Sequence, residues 1–111
     1  MQLNTEIVGD VGVIRVRGEV DAVTAPKLHE TATEMLSDGA RSLVIDCHDI
    51  DFIASDGLEV MIRVWEQAHT QGGTLTMRRP SALTYRLMQL TRLDTVLLID
   101  GLPEPNGDLV G

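Results

Sequence analysis

A serine lies at the start of a predicted helix, and its hydroxyl is the group in this chain best placed for chemistry. Residues 50–58 are typical of the end of a strand, a tight loop and a first helical turn. The apolar residues after Ser55 recur at helical spacing on one face: Leu58, Met61, Ile62 and Trp65. The amides of a first turn can bind a serine oxygen or a negative charge. Ser55 is therefore either a plain N-cap or a residue whose charge changes, and the local residues alone favour the N-cap.

Carboxylates surround this serine in the sequence. They are Asp46, Asp49, Asp51, Asp56 and Glu59. Exposed acids are common, and a magnesium site built only of protein carboxylates is unusual, so the cluster does not predict a metal centre. Glu59 precedes Arg63 by four residues, the spacing that favours an ion pair on the outer face of a helix.

A hydrolase would need Ser55 as the nucleophile and His48 as its base. The strained turn that usually holds such a serine is Gly-x-Ser-x-Gly, and Ile53 occupies the position of the first glycine. The sequence gives no argument for an oxyanion hole either. We therefore expect a protein that is not an enzyme, and we predict no cofactor.

The composition favours one acidic domain that binds other proteins. The chain has 111 residues and a net charge of −8, which argues against nucleic acid and an anionic membrane as partners. No apolar run is long enough to span a membrane, the N-terminus lacks a signal peptide's apolar core, and a cytoplasmic protein is expected. Cys47, the only cysteine, is expected to be a buried thiol that ends a strand. Residues 1–100 form the predicted domain, and 101–111 a flexible tail.

The periodicity predicts the element order β-β-α-β-α-β-α-β. The strands are predicted at 3–8, 11–20, 43–45, 74–77 and 96–99, with helices that begin at or near Thr24, Ser55 and Ser81. In the last helix, Leu83, Leu87 and Leu90 are predicted to face the core. Short strand–helix–strand units are parallel and right-handed, and the turn at Gly9 and Asp10 makes a hairpin. The predicted fold class is α/β, with a mixed, mostly parallel sheet of about five strands, crossover helices and an N-terminal antiparallel hairpin.

The loops that follow the strands predict the functional edge of this sheet. In parallel α/β sheets that edge is formed by the loops after the carboxyl ends of the strands. Segments 21–24, 47–55 and 79–81 should therefore lie together. This arrangement would bring Asp21 close to Ser55, although the two residues are distant in sequence.

Four segments in this order resemble the STAS domain family of sulphate transporters and anti-sigma factor antagonists. Residues 18–21 with Thr24 and Ala25 resemble its Gly-x-hydrophobic-Asp segment, 43–46 its third strand, 52–58 its signature loop Phe-Ile-Asp-Ser-Ser-Gly-Leu, and 90–94 the Leu-Thr-Gly-Leu-Asp close of its last helix. The resemblance extends from about residue 3 to residue 100, nearly the whole chain.

The resemblance implies an anti-sigma factor antagonist. In such a protein, the unphosphorylated chain binds an anti-sigma factor serine kinase and thereby frees a sigma factor. The kinase then uses ATP to phosphorylate the residue that Ser55 matches, and a metal-dependent serine phosphatase resets it. The residues expected to bind the partner are Asp21, Thr24, Ala54, Ser55, Asp56, Gly57 and Glu59. A monomer or weak homodimer is expected, and the alternative function is a non-switching STAS scaffold of the stressosome type.

The chain departs from the family pattern at three positions. Ala54 replaces the acid that usually precedes the serine, and Asp56 replaces a second serine. Asp56 therefore leaves a permanent negative charge beside the site. Arg92 replaces a glycine that ends the last helix, so we expect that turn to be strained.

Overall fold

The computed structural model describes residues 1–103 and contains one sheet with the strand order β1-β2-β3-β4-β5. The strands are β1 Gln2–Val8, β2 Val11–Val20, β3 Ser42–Ile53, β4 Leu75–Arg78 and β5 Leu98–Asp100. The helices are α1 Ala25–Ser37, α2 Ser55–Thr70 and α3 Ala82–Leu90, and a 3₁₀ turn spans Leu93–Thr95. β1 pairs antiparallel with β2, and every other neighbouring pair is parallel. The predicted α/β class, element order and N-terminal hairpin are confirmed, whereas the predicted tail lies outside the described residues from residue 104 onward.

All three helices pack on one face of the sheet. The crossovers from β2 to β5 step the same way across the sheet, and right-handed units that do so place their helices on the same side. The strand side chains that point to this side are almost fully buried: Ile14, Val16, Leu43, Ile45, Leu75 and Met77. Within residues 1–103, no helix covers the opposite face, and no helix is both long enough and apolar enough to cross a membrane.

The third strand is much longer than its apolar run predicted, so the prediction of a loop over 47–55 was wrong. β3 continues to Ile53, and Cys47 lies buried inside the strand and does not end it. The exposed His48 and Asp49 obscure the strand pattern in the sequence. Two shifts in the β2–β3 register accommodate the extra residues of β3. The regular alternation of buried and exposed residues is therefore lost in the second half of the strand.

The loop at 79–81 does not join the functional edge, which corrects a second prediction. β4 pairs with β3 only as far as the register pair Asp46↔Arg78. From Asp46, β3 runs on for seven residues to Ile53, or about 20 Å at the rise of an extended strand. The loop after β4 is therefore level with the middle of β3.

The last helix presents a different face to the core from the one predicted. Of the three predicted residues, Leu87 is half-buried and packs against the core, whereas Leu83 and Leu90 are 60% and 70% exposed. Thr84 and Met88 are buried in their place. The Ser81 side chain caps this helix by accepting from the amide of Thr84, and its hydroxyl also donates to the Thr84 hydroxyl. Because the Thr84 hydroxyl has this partner, a threonine can be buried on the inner face of the helix, where the sequence favoured leucine.

A buried carboxylate ties together the face of the sheet that no helix covers within residues 1–103, which we call the bare face. Asp46 Oδ2 lies 2.7 Å from Arg79 Nη2 and 3.9 Å from Arg15 Nε, and Asp46 Oδ1 accepts from the amide of His48 at 3.1 Å. Burial raises the pKa of Asp46, but the hydrogen bond from Arg79 and the one from the His48 amide outweigh it and lower that pKa below 3.8. Asp46 is therefore ionised at neutral pH, and Arg79 is its main counter-charge.

Replacing the arginine leaves this buried charge with only a distant partner. We expect Arg79→Met to lower the free energy of unfolding at neutral pH by about 2 kcal/mol, measured by chemical denaturation. Since the folded-state pKa is depressed, the contribution of the pair is present above pH 3.8 and is lost as the pH falls through the lower folded-state pKa. The difference between wild type and variant should shrink accordingly in acid. The matched control is Arg78→Met, which loses a 3.5 Å pair with Asp100 and only a weaker, longer-range attraction to Asp46, and it should cost less than about 1 kcal/mol.

The turn after α3 is strained, as its sequence predicted. Arg92 has a φ of +62°, in the left-handed region where a side chain is disfavoured. We expect Arg92→Gly to raise the free energy of unfolding by about 1 kcal/mol, which a thermal melt would record as a higher midpoint. Arg86→Gly, inside α3 on an exposed position, should lose about 1 kcal/mol instead. A loss in both variants would contradict the strain at Arg92.

Candidate functional site

One backbone hydrogen bond joins the two loops that carry the predicted site. β2 and β3 remain paired to their last residues, Val20↔Ile53, and the amide of Ala54 then donates to the carbonyl of Val20 at 2.8 Å. Asp21 directly follows Val20 in the chain, and Ser55 directly follows Ala54. The predicted proximity of these two segments is therefore confirmed.

Ser55 is the first residue of α2, so the prediction that it is the N-cap was wrong. Ala54 occupies the cap position in an extended conformation, and its carbonyl accepts from the amides of Gly57 and Leu58 at 3.0 and 3.2 Å. The cap has no side-chain hydrogen bond, and Ser55 is exposed. The hydroxyl is therefore presented to solvent over the positive end of a helix of 16 residues.

A glycine lets the start of α2 sit directly on the sheet. A Cβ built on Gly57 would lie 2.7 Å from Ile53 Cγ1 and 2.8 Å from Val20 Cγ1. Both side chains are almost fully buried, and both belong to the strand ends that the Ala54 amide joins. The absence of a side chain at 57 therefore sets the height of Ser55 above the sheet.

The loop after β2 is held rigid by Asp21. Its Oδ1 accepts from the amides of Val23 and Thr24, each at 3.0 Å. The Thr24 hydroxyl accepts from the amide of Asp21 at 2.9 Å and lies 2.8 Å from the carbonyl of Glu19, to which it donates. Thr24 thus occupies the N-cap position of α1, but its hydroxyl bonds back into the loop and not to the helix, contrary to the predicted cap. The hydrogen bond from the Thr24 amide, followed by the smaller one from Val23, lowers the pKa of Asp21 below 3.8, so this carboxylate is charged at neutral pH.

Negative charge dominates the surface around Ser55. Asp56 and Glu59 are both exposed on the first turns of α2. Glu59 is paired with Arg63 at 2.6 Å, as its spacing predicted. A groove of about 250 Å³ lies between the starts of α1 and α2, lined by Ala22, Ala25, Pro26, His29, Asp56, Glu59, Val60 and Arg63. The sequence did not reveal this groove, because its walls come from segments that are far apart in the chain.

Two exposed apolar side chains near the ends of β2 and β3 were also missed. Val23 is 85% exposed in the loop after β2. Phe52 is 50% exposed one residue before the end of β3, and because its neighbour Ile53 points to α2, Phe52 points to the other face of the sheet. For Val23, the only signal in the sequence was an apolar residue within a short loop. Exposed apolar groups that border a polar surface are a common feature of protein interfaces.

The geometry removes the basis for a serine hydrolase. His48 is an exposed residue of β3, and the five residues from His48 to Ile53 cover about 16 Å of strand. This distance exceeds the reach of a hydrogen bond to the Ser55 hydroxyl. Among the described residues, no group of three or more His, Cys, Asp or Glu is arranged to hold a metal ion.

Comparison with known sequences gives a consistent result over nearly the whole chain. Residues 3–100 match the family model described as "Mlab, STAS domain". The chain is 29% identical over 106 residues to the anti-sigma-B factor antagonist of Bacillus subtilis (strain 168), covering 94% of this chain and 96% of that protein. It is 35% identical over 57 residues to the anti-sigma-F factor antagonist RsfB of Mycobacterium tuberculosis (strain ATCC 25618 / H37Rv), covering 51% and 47%.

Solved structures have the same fold. An anti-sigma factor antagonist from Mycobacterium paratuberculosis superposes with a TM-score of 0.75 at 30% identity, covering 98% of this chain and 91% of that one. The Bacillus protein SpoIIAA superposes with TM-scores of 0.78 in its unphosphorylated form and 0.72 in its phosphorylated form, both at 16% identity. These two comparisons cover 98% of this chain, with 93% and 96% of the SpoIIAA chains.

The contact at Gly57 gives a test of how the site is built. A helical Gly→Ala change normally gains about 1 kcal/mol, but here the new Cβ would collide with Ile53 and Val20. We expect Gly57→Ala to lower the free energy of unfolding by about 1–3 kcal/mol in urea denaturation, because the first turn must lift off the sheet. Asp56→Ala, one exposed position earlier, should change it by less than about 1 kcal/mol. A gain in stability for Gly57→Ala would refute this description of the junction.

Proposed function

The chain belongs to the STAS domain family, and from this membership we propose that it is an anti-sigma factor antagonist switched by phosphorylation of Ser55. The unphosphorylated chain binds an anti-sigma factor serine kinase in the cytoplasm and so releases a sigma factor. The kinase phosphorylates Ser55 with ATP, the complex separates, and a metal-dependent phosphatase restores the hydroxyl. The observation that carries the proposal is the exposed hydroxyl of Ser55 at the first position of α2, beside the loop of Asp21.

The position of Ser55 explains how the fold would tolerate a phosphate. Phosphorylation adds about −1.5 to −2 charges at neutral pH. At the first residue of α2 this charge lies over the positive end of the helix dipole, where an anion is stabilising. The side chain is exposed, so the new group does not need to enter the core. SpoIIAA, which has the same fold, has been solved in both phosphorylation states.

The same charge would weaken an interface. A partner surface that fits Asp21, Asp56 and Glu59 must be basic. Its basic groups are already used as counter-charges for these three acids. A further dianion in the middle of this surface must be desolvated without a prepared counter-charge, and like charges across or within an interface cost several kcal/mol. Phosphorylation would therefore act on binding and leave the fold largely unchanged.

Two departures from the family pattern now have structural positions. Ala54 provides the cap through its backbone, so an acid there is not needed to start α2. Asp56 is exposed in the first turn and puts a fixed negative charge one residue from the hydroxyl. We propose that the partner kinase accepts this charge with a basic group near its active site.

Substitutions at Ser55 test the switch directly. Ser55→Ala should bind a cognate anti-sigma factor kinase like wild type but take up no phosphate when incubated with ATP. Ser55→Glu should bind at least about tenfold more weakly, because it places a permanent charge in the interface. Binding would be measured by titration calorimetry, and phosphorylation by mass spectrometry of the peptide that contains residue 55.

The matched control is Ser37→Glu, a change of the same chemistry at an exposed serine that ends α1. It should leave kinase affinity unchanged. Thermal melts should show that Ser55→Glu remains folded, with a midpoint close to that of wild type. Equal kinase affinity for Ser55→Ala and Ser55→Glu would refute the switch.

A further inference from the structure

The groove between the starts of α1 and α2 has an apolar floor. Ala25 and Val60 line it and are almost fully buried, and Ala22 and Pro26 add apolar surface at its side. The first turn of α1 contributes only an alanine and a proline to the lining, so a space of about 250 Å³ remains between the helices. The groove can therefore cover the aliphatic part of a side chain that enters from another molecule.

The groove is confined to the end of the helices that carries the site. One turn beyond His29 and Arg63, the Thr33 hydroxyl donates to Gln67 Oε1 at 3.2 Å and joins α1 to α2. Ser55 lies one residue before the groove-lining Asp56 but does not line the groove itself. An occupant of the groove thus approaches Ser55 closely and leaves its hydroxyl accessible.

The charges that line the groove are not balanced. Asp56 and Glu59 stand against one guanidinium, that of Arg63, with His29 counted as neutral. Arg63 pairs with Oε1 of Glu59 at 2.6 Å, which leaves Oε2 of that carboxylate available. Within residues 1–103, Asp56 forms no ion pair. One further cation would balance the groove, and the net charge of −8 attracts cations to this protein.

An arginine side chain matches both the floor and the charges. Its aliphatic stem packs on apolar surface while its charged head stays at the polar end. Asp56 and Glu59 are three residues apart on α2, a spacing that puts side chains about 5–6 Å from each other. The planar fork of a guanidinium has five donors and can bind two such carboxylates, whereas a lysine ammonium is more compact and more strongly hydrated. The groove is also smaller than the roughly 300–1,000 Å³ of small-molecule pockets.

We propose that this groove receives an arginine side chain of the anti-sigma factor kinase, with its guanidinium held by Asp56 and Glu59. The inference rests on the proposed function and extends it, because it names the basic group of the kinase and the place where that group binds. Since this arginine is already engaged by two acids, a phosphate on Ser55 gains no free counter-charge from it. Phosphorylation therefore still weakens the complex.

Calorimetric titration with a cognate anti-sigma factor kinase tests the groove within the complex. Asp56→Asn should weaken binding about 3- to 10-fold, and the difference from wild type should shrink at high salt. The matched control is Asp10→Asn, the same change at an exposed position in the turn between β1 and β2, at the other end of β2, and it should leave the affinity unchanged. Equal affinities for these three proteins, or equal weakening by both variants, would overturn the proposal.

A double-mutant cycle shows whether the charge and the groove act on one side chain. Ala22→Leu partly fills the groove from an exposed position and should also weaken kinase binding. Because both changes act on the same arginine, Ala22→Leu combined with Asp56→Asn should bind only slightly more weakly than either single variant. Additive losses would overturn the proposal. The Ser55 variants test the switch separately, so failure of the groove and failure of the switch are distinguishable.

A peptide probe tests the groove without the kinase. Amide chemical shifts of the full chain are followed while acetyl-Gly-Arg-Gly-amide is added to millimolar concentration, at one fixed pH so that the charge of His29 stays constant. Shifts should move at Ala22, Asp56, Glu59 and Val60, and far less with the matched citrulline peptide, which has a similar shape and no charge. Equal shifts with both peptides, or none in the groove, would overturn the arginine site. Arginine-specific shifts without binding to any kinase would instead refute the kinase as occupant, and the proposed function with it.

Discussion

The parallel pairing of β2 with β3 is the constraint on which the rest of the molecule depends. It holds over the full length of β2, from Val11↔Ser42 to Val20↔Ile53, and two shifts in register fit the longer strand to the shorter one. Because the pairing reaches the last residue of both strands, the amide of Ala54 can bond to the carbonyl of Val20. The position of α2, and therefore of the Ser55 hydroxyl, follows from that bond and from the missing side chain at Gly57.

The sheet separates two surfaces of different electrostatic character. On the helix side, the acids of the Asp21 loop and of the first turns of α2 gather around an exposed hydroxyl. On the bare face, arginines and acids alternate, and a buried carboxylate, Asp46, is shared between Arg79 and Arg15. The separation has a simple origin: all crossovers step in one direction, so the helices cannot cover both sides. The acidic surface around Ser55 and the ion-paired bare face are therefore separated by the sheet.

Local periodicity was enough to predict the fold class, the hairpin and the start of α2, because helical and strand spacings are properties of neighbouring residues. It failed where contacts across the chain decide the outcome. The length of β3 depends on pairing with β2 despite exposed polar residues such as His48, and the burial of Thr84 depends on the Ser81 hydroxyl. The ion pair of Asp46 with Arg79 joins residues 33 positions apart, which no local pattern reveals. For the site, spacing and resemblance indicated Ser55, whereas its role as first helical residue, and not cap, required the backbone geometry.

The single cysteine has a practical consequence. Cys47 is enclosed in the middle of β3, and burial, with a smaller effect from the charge of Asp46, raises the pKa of its thiol to about 12. Thiol-reactive reagents therefore react very slowly with Cys47 in the folded protein at neutral pH. A cysteine introduced at any exposed position becomes the sole reactive handle of the folded molecule. Fluorophores or spin labels can then be attached one site at a time, without first removing the natural sulphur from the core.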